Sequence, residues 1–84
     1  MKTTDELRTE IDRTDDELVS LFLYRLSIVK KIGEAKKSLS LPIEDKEREN
    51  AVIERLTACR TDEEKEKITE LYKTVFKISK EAER

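Results

Sequence analysis

Arg25 and Lys36 sit where a helix should be apolar. Leu18, Phe22, Arg25, Val29, Ile32 and Lys36 follow one another at spacings of four and three, the rhythm of a buried helical stripe, yet two of these positions are cationic. At about 100° per residue both cations point the same way, roughly 16 Å apart along the axis, so their heads can converge on a small anion from either side. A second stripe, Asp45, Arg48 with Glu49, Val52, Leu56 and Cys59, opens with charge on the face that later turns apolar. A third, Ile68, Leu71, Tyr72, Val75, Ser79 and Glu83, ends on a hydroxyl and a carboxyl at i and i+4. Each break has a bland account when taken alone: cations snorkelling along their stems, a surface salt-bridge run, a frayed last turn. Taken together they describe a polar pocket inside a helical bundle, rich in cations and suited to a dianion.

The rest of the residue inventory narrows the chemistry. With no histidine and a single cysteine, the chain has no intramolecular disulfide, no common zinc site and no Ser/His or Cys/His dyad. Reaction chemistry must therefore run on Arg, Lys, carboxylates and hydroxyls, with no metal or other cofactor expected. Cys59 falls on the apolar stripe and reads as a packed small hydrophobe. The net charge of -2 leaves no basic stripe for nucleic acid and no polybasic run for a membrane surface. The first ten residues, MKTTDELRTE, contain no apolar h-region, and no stretch approaches the roughly 18 apolar residues of a membrane span, so a soluble cytoplasmic protein is expected.

The elements that must position these groups are helices. Of the 84 residues, 45% are charged and 36% hydrophobic, with one glycine, one proline and few aromatics, a composition that fits long helices and fits strands badly. The spacing Thr3-x-x-Glu6 is a capping-box signal, Ser38 to Pro42 breaks the period, and Thr61-x-x-Glu64 offers a second capping box. These signals predict an all-α domain spanning the whole chain, with helices over about 4–39, 45–59 and 62–83. The first would be roughly 50 Å long, which outgrows the core of so short a chain. A partner chain is the simplest way to cover it.

The pattern Leu7-Arg8-x-x-Ile11-x-x-x-Asp15-x-x-Leu18, then Arg25, then Gly33-x-Ala35-Lys36, then Pro42-Ile43-x-Asp45-x-x-Arg48-Glu49 resembles the all-helical class of chorismate mutase. The resemblance spans nearly the whole chain. It implies an intertwined homodimer that rearranges chorismate to prephenate without a covalent intermediate, each site taking one arginine from the neighbouring chain at the position of Arg8. It further implies that Arg25 and Arg48 hold substrate carboxylates and that Lys36 approaches the ether oxygen and a carboxylate. Asp45 and Glu49 would lie by the ring hydroxyl, and Ser79 and Glu83 would close the far end, where bacterial members carry glutamine and some eukaryotic members glutamate. Geometry agrees on Arg8 independently: its place on the helix lies roughly 100° off the Arg25/Lys36 line, so it is set to serve another pocket.

A [3,3] rearrangement suits such an inventory. It needs no nucleophile and no proton transfer, only a substrate held in its reactive shape and stabilisation of charge as the C–O bond breaks. Two other readings stand beside it: an isochorismate pyruvate-lyase of similar fold and pocket, and a non-catalytic helical oligomerisation module. The complete run Asp45-x-x-Arg48-Glu49 favours the mutase over the lyase.

Overall fold

The computed structural model describes residues 1–84 as three helices, α1 (Thr4–Ser38), α2 (Lys46–Thr57) and α3 (Asp62–Glu83). Both start signals cap their helices, but only the second closes the reciprocal box. The Thr3 hydroxyl accepts the Glu6 amide at 3.2 Å, and Thr61 and Glu64 form a reciprocal capping box, each side chain accepting the other's backbone N–H at 3.0–3.1 Å. Those bonds from Thr61 hold the Glu64 carboxyl below its ordinary pKa. Asp45 caps α2 by accepting the Arg48 amide at 3.0 Å, so the helix begins one residue later than expected.

Both expected C-termini lay too far along the chain. α1 ends at Ser38 in a Schellman arrangement: the Leu41 amide donates to the Lys36 carbonyl at 2.8 Å and the Ser40 amide to Lys37 at 3.2 Å, with Ser40 left-handed at φ 56°. α2 ends at Thr57, and Cys59 belongs to a turn instead. Ala58 at φ -60°, ψ 135°, Cys59 at φ 59° and an Arg60 amide donating to the Thr57 carbonyl at 3.2 Å make a type II turn. Cys59 is therefore exposed and free, not packed; helical spacing ceased to apply two residues before it. Because L-residues are strained at that turn position, Cys59→Gly is expected to melt about 2–6 °C above Cys59→Ala, which keeps the strain. Equal melting temperatures would mean that the turn relaxes without cost.

α3 packs on both other helices, which do not pack on each other. It runs in the same direction as α1, with Arg25 meeting Ser79 and Lys36 meeting Glu83, and it runs opposite to α2. The core is thin: Val29, Val52 and Val75, one valine from each helix, are its buried hydrophobic residues. Leu18 and Leu71, expected on buried stripes, are 58% and 56% exposed because nothing in the chain covers that end of the α1/α3 groove. Leu7, Ile11, Val19 and Leu21 are also bare. The radius of gyration is 16.2 Å, against about 12 Å for a compact domain of this length. The molecule is a rod of 56 × 27 × 16 Å whose long axis is set by α1. No helix is long and apolar enough to cross a membrane.

Candidate active site

One cavity of ≈ 240 Å³ lies where the three helices meet, slightly below the ~300 Å³ at which ligand pockets usually begin. α1 supplies Arg25, Val29, Ile32 and Lys36, successive turns of one face; the α1–α2 loop and the start of α2 supply Ile43, Asp45, Arg48, Glu49 and Val52; α3 supplies Phe76, Lys80 and Glu83. The charged breaks in the stripes thus converge, with aliphatic groups from the same stripes as walls. Ser79 stands behind Arg25 rather than in the lining. Arg8 does not reach this cavity: it is exposed on the bare half of α1, about 25 Å from Arg25 along the helix axis.

Lys36 is the most tightly held group. Its ammonium donates to the Ile43 carbonyl at 2.7 Å and to Glu83 Oε1 at 2.8 Å, which uses two of its three N–H donors and leaves one for a ligand. The pair is largely withdrawn from solvent, the side chains retaining 18% and 9% of their accessible surface. Arg25 is held from two sides. Its Nη1 donates to the Ser79 hydroxyl, whose own proton goes to the Val75 carbonyl at 2.7 Å. Its guanidinium also lies 5.8 Å from the centroid of the Tyr72 ring, which meets Phe76 edge-on at 5.5 Å. No carboxylate lies within ion-pairing distance of Arg25 or Arg48. The cavity therefore presents two guanidinium forks with their charge unmatched, the donor geometry that binds carboxylates bidentately.

Lys80 was not singled out by its spacing, yet it sets one wall. It lies 3.4 Å from both Glu44 and Glu49, fastening the α1–α2 loop and the first turn of α2 to α3. Desolvation opposes the Lys80 charge, but the bonds to Glu44 and Glu49 outweigh it and raise its pKa above the usual lysine value. The bond from Lys80 lowers the pKa of Glu44. The signs bound the clasp's working range. A lowered carboxyl contributes above its unfolded pKa and loses that contribution as pH falls through the folded value; a raised lysine contributes below its unfolded pKa and loses it as pH rises through the folded value. The clasp stays closed across the neutral range, from about pH 5 to 9. The Ile43 carbonyl, a backbone acceptor, is likewise invisible to side-chain patterns.

Comparison with known proteins gives a consistent picture. Residues 7–84 match the family model described as chorismate mutase type II. A bifunctional chorismate mutase/prephenate dehydratase from Aquifex aeolicus is 43% identical over 56 residues, 67% of this chain and 16% of that protein. A chorismate mutase from Methanocaldococcus jannaschii is 37% identical over 51 residues, 61% of this chain and 52% of that one. The matched stretch is thus about half, or far less, of these curated relatives' own lengths. Among solved structures, a conserved hypothetical protein from Pyrococcus furiosus superposes with a TM-score of 0.81 at 35% identity, covering 99% of this chain and 100% of that one.

Proposed function

The chain belongs to the type II chorismate mutase family, and from that premise we propose that it is a chorismate mutase, converting chorismate to prephenate by an intramolecular [3,3] rearrangement. The observation that carries this reading is the pair of unmatched guanidinium groups, Arg25 and Arg48, flanking a lysine with one free donor. Chorismate is a dianion whose carboxylates sit on the ring and on the enolpyruvyl arm. Two forks that grip those carboxylates, Arg25 already held by Ser79 and Tyr72 and Arg48 ordered by the substrate itself, fold the arm over the ring, which removes most of the entropic barrier before any bond changes. The ether C–O bond then breaks as the new C–C bond forms, and the remaining Lys36 N–H meets the negative charge growing on the departing oxygen. Asp45 and Glu49 accept from the ring hydroxyl, and Ser79 steadies Arg25 from behind. A millionfold acceleration corresponds to roughly 8 kcal/mol, within reach of conformational restriction plus a few charge-assisted hydrogen bonds.

The working unit of this proposal is an intertwined homodimer in the cytoplasm. The bare apolar stripe along the first half of α1 supports a second copy as its cover, and Arg8 on that stretch would then enter the pocket of the neighbouring chain. The direct test is turnover by the purified chain: prephenate from chorismate, with isochorismate offered in parallel. Pyruvate release from isochorismate with inert chorismate would instead identify a lyase, and inertness to both would leave an oligomerisation module.

Glu83 bears directly on this scheme. Paired with the Lys36 ammonium at 2.8 Å, its carboxylate accepts and aims that donor, whereas a glutamine amide at the same place can also donate a hydrogen bond to the ether oxygen. Glu83→Gln is therefore expected to stay active at neutral pH, with kcat within about tenfold of wild type, roughly 1.4 kcal/mol. Loss of all turnover in a folded Glu83→Gln chain would show that the carboxylate charge itself is required.

A further inference from the structure

Gly33 is the chain's lone glycine, and it lies inside the 35-residue helix α1. A glycine there costs about 1 kcal/mol of helix stability relative to alanine. Its φ is not positive, so backbone freedom does not explain it. Close approach does. A Cβ built on Gly33 would stand 2.6 Å from the carbonyl oxygen of Glu83, 2.8 Å from its Cα and 3.1 Å from its carbonyl carbon. All three are backbone atoms, which cannot swing aside as a side-chain tip would. The last turn of α3 therefore rests directly on the α1 backbone, and the residue at that point of contact is the one whose carboxyl meets Lys36, three positions further along α1.

We infer that Gly33 is a positioning residue for the reaction: its missing side chain sets how deeply the last turn of α3 seats, and so where the Glu83 carboxyl stands relative to Lys36. This deepens the chorismate mutase reading and rests on it. The earlier turns of α3 are held independently, by burial of Val75 and by the bond from Arg25 to Ser79. A methyl group at position 33 would thus lift the final turn rather than the whole helix. Restoring ordinary contact distances requires a shift of roughly 1 Å, and misplacement on that scale can lower a rate by up to about a hundredfold.

The test is Gly33→Ala, made in the wild type and in Glu83→Ala. In the wild type, kcat is expected to fall about 10- to 100-fold with KM changing by less than about threefold, because Arg25 and Arg48 still hold the substrate. In the Glu83→Ala background the same substitution should cost less than about threefold, since there is no carboxyl left to misplace. An equal loss in both backgrounds would reduce Gly33 to a general packing position, and unchanged kcat in the wild type would mean the turn yields without consequence. A Gly33→Ala chain that no longer folds would show that the clash is not confined to the last turn, and would equally overturn the assignment. A readout independent of turnover separates this inference from the function it rests on: the 13C resonance of the Glu83 carboxyl should move in Gly33→Ala in the same sense as in Lys36→Met. If the wild type fails to turn over chorismate, the activity assignment falls, and that resonance still decides whether Gly33 sets the Lys36–Glu83 contact.

Discussion

Lys36→Met is expected to lower kcat at least a hundredfold, about 2.7 kcal/mol of lost transition-state stabilisation, with a much smaller change in KM. Methionine keeps the length and apolar stem and removes only the charged donor. In the proposed rearrangement charge appears on the ether oxygen as the C–O bond breaks, so the donor's contribution is larger in the transition state than in the bound ground state. One complication arises from the fold itself. Removing Lys36 strands Glu83, which is only 8% exposed, and unpairing one member of a buried ion pair can cost about 3–5 kcal/mol of stability. Lys36→Met combined with Glu83→Gln separates the two effects. The double variant should recover melting temperature, because no carboxylate is left unpaired, and should stay at least a hundredfold impaired. A kcat within about threefold of wild type in either variant, some 0.6 kcal/mol, would make Lys36 a packing residue and dismiss the mechanism.

Mixing two dead chains should give a live protein. Arg8→Ala and Arg48→Ala are each expected to reduce activity by at least a hundredfold, since in the proposed homodimer each removes a guanidinium from every site. In a mixed dimer, the pocket of the Arg8→Ala chain keeps its own Arg48 and receives Arg8 of the partner subunit, while the other pocket lacks both. Random exchange makes about half the dimers mixed, each with one intact site of two, so activity should return to about a quarter of wild type. Sedimentation at micromolar concentration should give twice the chain mass of 9.9 kDa. No recovery after mass spectrometry has confirmed exchange would place Arg8 outside the site, and a stable, active monomer would end the shared-site scheme altogether.

Much of this architecture is legible in the sequence because helices announce themselves locally. Thr3 and Thr61 are read as caps from side chains three residues apart, and the valines that form the core lie on the stripes their spacing defines. The convergence of Arg25, Lys36, Arg48 and Glu83 on one cavity follows from the same periodicity, since charges placed on buried stripes must meet once the stripes are packed. Helical spacing does not announce its own end. Cys59 continues the stripe on paper, but α2 has stopped at Thr57 and the chain has turned. The bare Leu18 and Leu71 follow from a different limit, because amphipathicity specifies that a face is to be covered without specifying by which chain. Backbone partners were the least visible. The Ile43 carbonyl on Lys36 and the Glu83 backbone against Gly33 involve no side-chain type that a pattern could flag.

The parallel course of α1 and α3 has a bearing on the order in which this molecule assembles. Parallel helices cannot be joined by a tight turn, so α2 serves as the return stroke. α2 and α3 meet across the short turn that follows Thr57, and their antiparallel hairpin closes a small loop with little entropic cost. The contacts that build the pocket close far larger ones: Arg25 and Ser79 are 54 residues apart, and Lys36 and Glu83 are 47. Contacts local in sequence are kinetically favoured over such long-range closures, so α1 is expected to be the last helix to dock and the Lys36–Glu83 contact among the last to form. In the proposed dimer, catalytic competence is then expected only late in assembly, once α1 has docked and a second copy has brought its own α1 alongside.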